Sequence, residues 1–257
     1  MGSGIAQVFA QNGFSTILFD VNENVLANAK AKIKKYSPEG FDRIRFTSAL
    51  NDCKAHLIIE AVIENEKVKA DLFNNLMAIN SADAIFATNT SSLSVTAIAE
   101  KITRPQQFAG MHFFNPAPLM KLVEIVSTKY TSESAIESLT ELTTRLGKTP
   151  VICKDSPGFI VNRVARPFYL EALHLAEKYN VAFETVDKLA EATGFKMGPF
   201  RLMDLIGNDI NYSVSCIVYE ALGIPERLKP SPIQEEKVRE GNLGRKTGKG
   251  YYEYSGL

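Results

Sequence analysis

The first part of the chain alternates short apolar runs with amphipathic stretches. Seven runs are rich in Val, Ile, Leu and Phe and show little polar alternation, which predicts strands buried on both faces. They are STILFD (15–20), RIRFT (43–47), HLIIEAV (56–62), AIFATNT (84–90), FAGMHFF (108–114), LVEIV (122–126) and PVICK (150–154). Helical spacing of apolar residues lies between them, at 22–36, 66–80, 94–101 and 132–146. This order predicts a doubly wound, mostly parallel sheet covered by helices.

The pattern changes after DSPG (155–158). From there on, helical periodicity continues almost without interruption, over 159–179, 183–193, 201–222 and 231–240. We therefore expect an α/β domain over residues 1–155 and an all-helical domain over residues 156–257. Pro167 falls inside the first long helix and predicts either a kink or a break between two helices.

The chain begins directly in a helical pattern. In MGSGIAQVFAQNG, apolar residues recur at helical spacing from Ile5, and Gly13 stands where a helix would end. In dinucleotide-binding units, the last glycine of G-x-G-x-x-G begins a helix, and an acid about 20 residues later binds the adenosine ribose. Gly2 and Asp20 are 18 positions apart and fit this arrangement, which predicts NAD rather than NADP. The same features are common without a ligand, so both interpretations stay open.

If Gly2 is the third glycine of that motif, the strand and the two glycines that normally precede it lie before Met1. That strand is normally central in the sheet, so its two neighbours would lack partners for their backbone ladder groups. We expect that the fold either rearranges or pairs with another chain, or that NAD binding is weakened.

Composition excludes several classes of protein. Lys+Arg and Asp+Glu both number 29, so no overall charge favours nucleic acid or an anionic membrane. No apolar run has the length of a membrane span, and the N-terminus lacks the pattern of a signal peptide. The cysteines at 53, 153 and 216 form no CxxC pair, which predicts reduced thiols in a cytoplasmic protein and no metal site.

The stretch GMHFFNPAPLMKLVEIV (110–126) contains the strongest candidate chemistry. Two strand-like arms flank the turn signal Asn-Pro-Ala-Pro, so a reversal at 115–119 would bring His112 close to Glu124. A carboxylate on one imidazole nitrogen fixes the tautomer, and the other nitrogen can then accept a proton. A single histidine among aromatic residues is more often a core residue, and spacing alone does not decide between these interpretations.

Several further motifs occur together with HFFNPAPLMKLVE (112–124). They are ATNTSSL (87–93), KDSPGFIVNR (154–163), MGPFRLMD (197–204) and GRKTGKGYYEY (244–254). With these motifs, the chain resembles the L-3-hydroxyacyl-CoA dehydrogenases, including bacterial 3-hydroxybutyryl-CoA dehydrogenases, along its whole length. The resemblance implies a Rossmann-type NAD-binding domain, here without its first strand, and an all-α C-terminal domain that forms a homodimer. It also implies NAD-dependent oxidation of 3-hydroxyacyl-CoA to 3-oxoacyl-CoA, in fatty-acid β-oxidation or butyrate-type metabolism.

The resemblance also implies roles for individual residues. His112 would be the general base, Glu124 would hold it, and Ser91 and Asn162 would bind the substrate. The implied cofactor contacts are Gly2 at the helix start, Asp20 at the adenosine ribose, Glu64 and Lys69 at the nicotinamide ribose, Ser91, Asn115 beside the histidine, and Lys246.

The chain departs from the family between Asp20 and Phe46. The family usually carries a long charged helical hairpin there, which binds the CoA nucleotide, whereas this segment is short. The lysines at 30, 32, 34 and 35 could meet CoA phosphates, although a solvated helix face explains each of them more simply.

Two other functions remain open at this point: a CoA-independent hydroxy-acid dehydrogenase, such as the gulonate dehydrogenases, and a catalytically weakened dimeric scaffold. The stretches 201–222 and 231–240 are predicted to form the subunit interface, with intradomain core as the alternative.

Overall fold

A computed structural model describes residues 1–36 and 38–254 of the chain. The chain divides into two compact units, Met1–Phe159 and Ile160–Leu257, and each is described by itself. The first unit is α/β and the second is helical, as the hydrophobic pattern predicts. None of the helices in the described residues is both long enough and apolar enough to cross a membrane.

The first unit contains all the strands and helices that the sequence predicts for it, with ends that differ by a few residues. They are α1 (Gly2–Gln11), β1 (Thr16–Phe19), α2 (Glu23–Tyr36), β2 (Ile44–Thr47), β3 (Leu57–Glu60), α3 (Glu66–Ile79), β4 (Ile85–Thr88), α4 (Val95–Ala99), β5 (Phe108–Phe113), β6 (Leu122–Ser127), α5 (Glu133–Arg145) and β7 (Thr149–Lys154).

The larger sheet has five strands in the order β3-β4-β5-β6-β7. Its pairs are parallel except for β5 and β6, which are antiparallel and place His112 opposite Glu124. The connection between these two strands contains a cis peptide bond between Asn115 and Pro116. The reversal predicted at 115–119 is therefore confirmed.

The two faces of this sheet bury different side chains, because successive residues of a strand point to opposite faces. One face packs under α3 and α4 through an apolar cluster that includes Phe73, Phe86 and Phe108. The other face packs under α1 and α5, through a cluster that includes Ile5 and Leu139. Strands covered on both faces explain why the sequence shows continuous apolar runs.

The strands β1 and β2 form a separate parallel pair. Among the described residues, no backbone ladder joins β1 to β3, and each of these two strands has one partner strand. A Cβ added to Gly2 would lie 3.9 Å from both Leu18 Cδ1 and Ala61 Cβ, so α1 begins between the ends of the two sheets. The fold has not rearranged to join β1 to β3. Pairing with another chain and weakened NAD binding both stay predictions.

The second unit consists of α6 (Val161–Tyr179), α7 (Phe183–Ala192), α8 (Pro199–Ile206), α9 (Asn208–Ala221) and α10 (Pro232–Arg239). Two details differ from the sequence pattern. The stretch 201–222, predicted as one helix, is divided at Gly207, whose φ of 108° no helix accepts. Of the two outcomes predicted at Pro167, the break is wrong, because α6 continues through it, and the kink stays a prediction. The carbonyl that this proline leaves without its helical donor belongs to the exposed residue Arg163, where water can reach it.

Two buried aspartates fasten the C-terminal segment (residues 244–254) to this helical unit. Asp204 accepts hydrogen bonds from the backbone N–H groups of Tyr251 and Tyr252, both at 3.0 Å. Asp187 accepts another, at 2.7 Å, from the hydroxyl of Tyr252. A Cβ at Gly250 would lie 1.9 Å from Asp204 Oδ1, so this position requires glycine. The GRKTGKGYYEY motif therefore has a structural role in this unit.

Candidate active site

The predicted contact between His112 and Glu124 is present. The imidazole Nδ1 lies 2.7 Å from Glu124 Oε2, and both residues are buried, at 5% and 0% exposure. Their positions opposite each other on β5 and β6 make this contact a cross-strand pair. A carboxylate at Nδ1 stabilises the tautomer that carries a proton there, which leaves Nε2 as the nitrogen that can accept a proton.

Two aromatic rings contact this imidazole. The ring of Phe114 lies 4.5 Å from it and the ring of Phe159 lies 5.8 Å from it, measured between centroids. Phe159 has a φ of 48° and is 5% exposed. This backbone conformation is costly for a bulky residue, and burial of the ring stabilises it. The imidazole is therefore held by a charged partner and by packing.

A polar network occupies the carboxyl ends of β3 and β4. One oxygen of Glu64 accepts hydrogen bonds from the hydroxyl of Thr90 (3.0 Å) and from the backbone N–H (2.9 Å) and hydroxyl (3.3 Å) of Ser91. Its other oxygen lies 3.2 Å from the ammonium of Lys69. The structure thus brings three of the predicted site residues together in one network.

Sequence reasoning missed the residue that completes this network. Glu60, at the end of β3, lies 2.6 Å from Lys69 Nζ, and both side chains are almost fully buried. The signal was an acid at the end of an otherwise apolar strand, since a buried carboxylate requires a charged partner. Because Lys69 is only 1% exposed, the geometry supports an indirect role for it, through Glu64, in place of the predicted direct contact with the cofactor.

Side chains also link the strand of His112 to its surroundings. The side-chain oxygen of Asn89 accepts a hydrogen bond of 2.8 Å from the backbone N–H of Phe113, which ties the loop before Ser91 to β5. Asn115 is exposed and begins the turn after β5.

Lys148, which sequence reasoning also missed, holds the turn after β5. Its buried ammonium donates hydrogen bonds of 2.7 Å to the carbonyl of Ala117 and 2.8 Å to the carbonyl of Met120. Burial lowers the pKa of this lysine.

The start of α1 has the chemistry that a dinucleotide requires. Met1 precedes the helix, and no side chain of the described residues caps its first N–H groups. Such groups bind phosphate oxygens, assisted by the helix dipole. Asp20 follows β1, and its Oδ1 accepts a hydrogen bond of 2.9 Å from the backbone N–H of Asn22. Gly2 and Asp20 therefore fit a pyrophosphate and a ribose, respectively.

Two predicted site residues belong to the helical unit and are described only within it. Asn162 lies in the first turn of α6, and its carbonyl accepts a hydrogen bond of 3.2 Å from Arg166 Nε. Lys246 lies 2.6 Å from Asp209 Oδ1, and both side chains are partly exposed. The roles predicted for Asn162 and Lys246 stay predictions.

The four lysines considered for CoA binding lie on α2, and all of them are exposed. The ammonium of Lys30 lies 5.8 Å from the centre of the Phe46 ring. This placement is compatible with a solvated face and also with contacts to phosphate groups.

Comparison with known proteins identifies related sequences for both units. Residues 1–156 match the family model of the 3-hydroxyacyl-CoA dehydrogenase NAD binding domain, and residues 158–254 match the model of its C-terminal domain. The chain is 43% identical to 3-hydroxyadipyl-CoA dehydrogenase of Escherichia coli K12 over 270 residues, which cover 99% of this chain and 57% of that protein. It is 40% identical to mitochondrial hydroxyacyl-coenzyme A dehydrogenase of Sus scrofa over 276 residues, which cover 99% of this chain and 88% of that protein.

A solved structure shows the same fold. The crystal structure of 3-hydroxybutyryl-CoA dehydrogenase from Escherichia coli K12 matches with a TM-score of 0.94 and 41% identity, and the match covers 100% of this chain and 58% of that one. The chain thus spans a little over half the length of the matching Escherichia coli sequence and structure and most of the length of the porcine protein.

Proposed function

This chain belongs to the 3-hydroxyacyl-CoA dehydrogenase family, and we propose from this premise that it oxidises L-3-hydroxyacyl-CoA to 3-oxoacyl-CoA with NAD⁺. The observation that carries the proposal is the buried pair of His112 and Glu124, with 2.7 Å between Nδ1 and Oε2. Oxidation of a secondary alcohol requires a base for the hydroxyl proton and an acceptor for the hydride on the same carbon.

His112 is the base in this proposal. Its Nε2 accepts the proton of the 3-hydroxyl, and the carboxylate of Glu124 stabilises the imidazolium that forms. Bound NAD⁺ supplies the acceptor for the hydride. In the reductive direction, the imidazolium returns the proton to the substrate oxygen.

Three polar residues are proposed to orient the substrate and the cofactor. Ser91 and Asn162 form hydrogen bonds with the substrate, and Asn115 contacts both His112 and the nicotinamide side of the cofactor. Ser91 is supported by its place in the network with Glu64, and Asn115 by its position three residues after His112.

The residues proposed to hold NAD⁺ lie mainly in the first unit. The N-terminus of α1 at Gly2 faces the pyrophosphate, Asp20 accepts from the adenosine ribose, and Glu64 accepts from the nicotinamide ribose. Lys246, near the C-terminal end of the sequence, is proposed as a further cofactor contact.

The test is a His112→Gln variant, assayed for NADH formation from 3-hydroxybutyryl-CoA. Because a general base contributes on the order of 100- to 10,000-fold, kcat should fall by about that factor. Affinity for NADH, measured by fluorescence titration, should stay within about twofold of the wild-type value. Near-normal turnover in this variant would remove His112 from the mechanism. A wild-type chain inactive on every acyl-CoA but active on a free hydroxy acid would favour the CoA-independent alternative.

The phosphate groups of the CoA substrate provide a second test. If the exposed lysines of α2 contact CoA phosphates, the affinity for acetoacetyl-CoA should fall as salt concentration rises. A variant with Lys30 and Lys34 changed to Gln should show a weaker salt dependence. An affinity that does not change with salt would exclude this contact.

We also propose that the chain forms a homodimer through the helical unit. Apolar side chains of α8 and α9 are exposed in the single chain, at 49% for Leu205, 38% for Ile206 and 48% for Ile210. Neighbouring exposed apolar residues are typical of a protein interface. Light scattering should give the mass of a dimer, and Ile210→Lys should lower it to that of a monomer. The reduced cysteines support a cytoplasmic location for this dimer.

A further inference from the structure

The carboxylate of Glu60 is the most completely enclosed charge of the polar network. Its side chain is 0% exposed, and each oxygen has its own donor on the protein. Oε1 accepts from Lys69 Nζ at 2.6 Å and from the backbone N–H of Val62 at 2.6 Å. Oε2 accepts from the hydroxyl of Thr88 at 2.8 Å. This carboxylate is therefore fixed by β3, β4 and α3 together.

Lys69 links the fixed carboxylate of Glu60 to the carboxylate of Glu64. Its ammonium lies between the two carboxylates, 2.6 Å from Glu60 and 3.2 Å from Glu64. The two partners differ in exposure, because the side chain of Glu64 is 39% exposed. Glu64 can therefore exchange partners with water or a ligand, whereas Glu60 cannot.

Glu64 in turn holds the backbone N–H and the hydroxyl of Ser91 with the oxygen that does not face Lys69. A continuous series of charged and polar contacts thus leads from Glu60 through Lys69 and Glu64 to Ser91. Glu60, Thr88 and His112 also lie on the same face of the sheet, since their side chains alternate with those of the cluster on the other face.

We propose that Glu60 is a positioning residue of the active site, which anchors Lys69 and thereby orients Glu64 and Ser91 toward cofactor and substrate. The inference rests on the proposed function for the identity of those ligands. Glu60 itself touches neither ligand. Without its charge, the buried ammonium of Lys69 keeps Glu64 as its carboxylate partner, moves toward it, and draws it away from Ser91.

The test is a Glu60→Gln variant, which preserves shape and removes the charge. The KM for NAD⁺ should rise about tenfold, as expected when a charge-assisted hydrogen bond at the site is weakened. Hydrogen exchange of the amides at 90–92 should become faster, because the bond from the Ser91 N–H to Glu64 is lost. Exchange in α5 should not change.

A double variant, Glu60→Gln with Lys69→Met, separates positioning from stability. Because it removes both buried charges, it should melt at a higher temperature than Glu60→Gln alone. It should also show a raised KM and fast exchange at 90–92, because Glu64 then has no ammonium that fixes its position toward Ser91. If Glu60→Gln is too unstable to purify, Glu60→Asp, which keeps the charge but shortens its reach to Lys69, tests the proposal through the same KM and exchange measurements.

The matched control is Glu66→Gln, which removes a partly exposed carboxylate that pairs with Lys101 at the start of the same helix α3. It should leave KM, kcat and exchange unchanged. Wild-type KM and wild-type exchange in any of these Glu60 variants would overturn the proposal. If the wild-type chain lacks dehydrogenase activity, the proposed function fails, and the exchange at 90–92 still decides whether Glu60 positions Ser91.

Discussion

At the scale of single residues, the site depends on buried carboxylates that have buried partners. The carboxylate of Glu124 has the imidazole of His112, and the carboxylate of Glu60 has the ammonium of Lys69. Removal of one partner leaves a buried charge uncompensated, which is strongly destabilising. Neutral replacements at these positions should therefore affect stability as well as function, and each test requires a binding measurement beside the rate.

Glu124→Gln tests the partner of the catalytic base. The amide keeps the shape of the side chain but cannot stabilise an imidazolium, so kcat should fall by about 100-fold or more. Dinucleotide affinity, measured by NADH fluorescence, should remain, because Glu124 is 0% exposed and cannot reach a ligand directly. A variant with normal kcat would show that packing alone suffices to hold His112.

The three cysteines should be unreactive at neutral pH. Burial raises the pKa of the Cys53 and Cys216 thiols, and burial together with the carboxylates of Glu124 and Asp155 raises the pKa of Cys153 to about 12. The thiolate is the reactive form, and its fraction falls tenfold for each unit by which the pKa rises. Iodoacetamide at neutral pH should leave both mass and activity unchanged in the folded protein, and should label all three cysteines after unfolding. Rapid labelling of Cys153 in the native state would contradict this account.

Contacts between residues close in sequence could be predicted, and contacts between residues far apart in sequence could not. The His112–Glu124 pair could be predicted because a short turn between two strands determines which residues face each other. Glu60 and Lys148 could not be assigned, because their partners lie on other elements and depend on how those elements pack. Nothing in the local pattern distinguishes Lys148 from a lysine on the surface.

At the scale of elements, the apolar pattern predicts the order of strands and helices well and predicts junctions less well. Each strand of the first unit was expected, because burial on both faces produces continuous apolar runs. The division of 201–222 at Gly207 was missed, because the apolar periodicity continues across it. A glycine within a helical pattern shows only that a break is permitted.

The buried Asp204 should be the main attachment of the C-terminal segment. It accepts hydrogen bonds from two backbone N–H groups of that segment and from the hydroxyl of Tyr254. Asp204→Ala should reduce the free energy of unfolding by about 3 kcal/mol or more, because several buried donors lose their acceptor. Limited proteolysis should then cleave within 244–254.

Asp209→Ala is the matched control for that experiment, since Asp209 is partly exposed and pairs with Lys246. The loss of a partly exposed ion pair should change stability by less than about 1 kcal/mol. Equal melting temperatures for the two variants would contradict the role assigned to Asp204.

At the scale of the whole molecule, the first unit is built from two sheets rather than one. Among the described residues, no backbone ladder joins the pair β1-β2 to the sheet β3-β4-β5-β6-β7. What the sequence does not predict is that β1 and β2 still pair and still pack against α1. Apolar contacts of α1 replace part of what a continuous ladder would provide.

Hydrogen exchange should reveal this division. The amides of β1 and β2 should exchange faster than those of β4 and β5, because a two-stranded pair opens at a lower free energy than the interior of a five-stranded sheet. Saturating NADH should slow exchange in β1 and in α1, where the dinucleotide is proposed to bind. Equal protection in both sheets without a ligand would show that the gap has no energetic effect.

The helix α1 contributes side chains to the apolar clusters of both sheets. Ile5 and Val8 belong to the apolar cluster of the large sheet, and Ala10 belongs to the cluster of the small one. A single helix therefore packs against both sheets of the first unit, and its first turn is also the proposed binding site for the cofactor phosphates. A bound dinucleotide would then hold the two sheets together through α1. The protein saturated with cofactor should resist heat and proteases as a single unit, whereas the protein without cofactor should open first between β1 and β3.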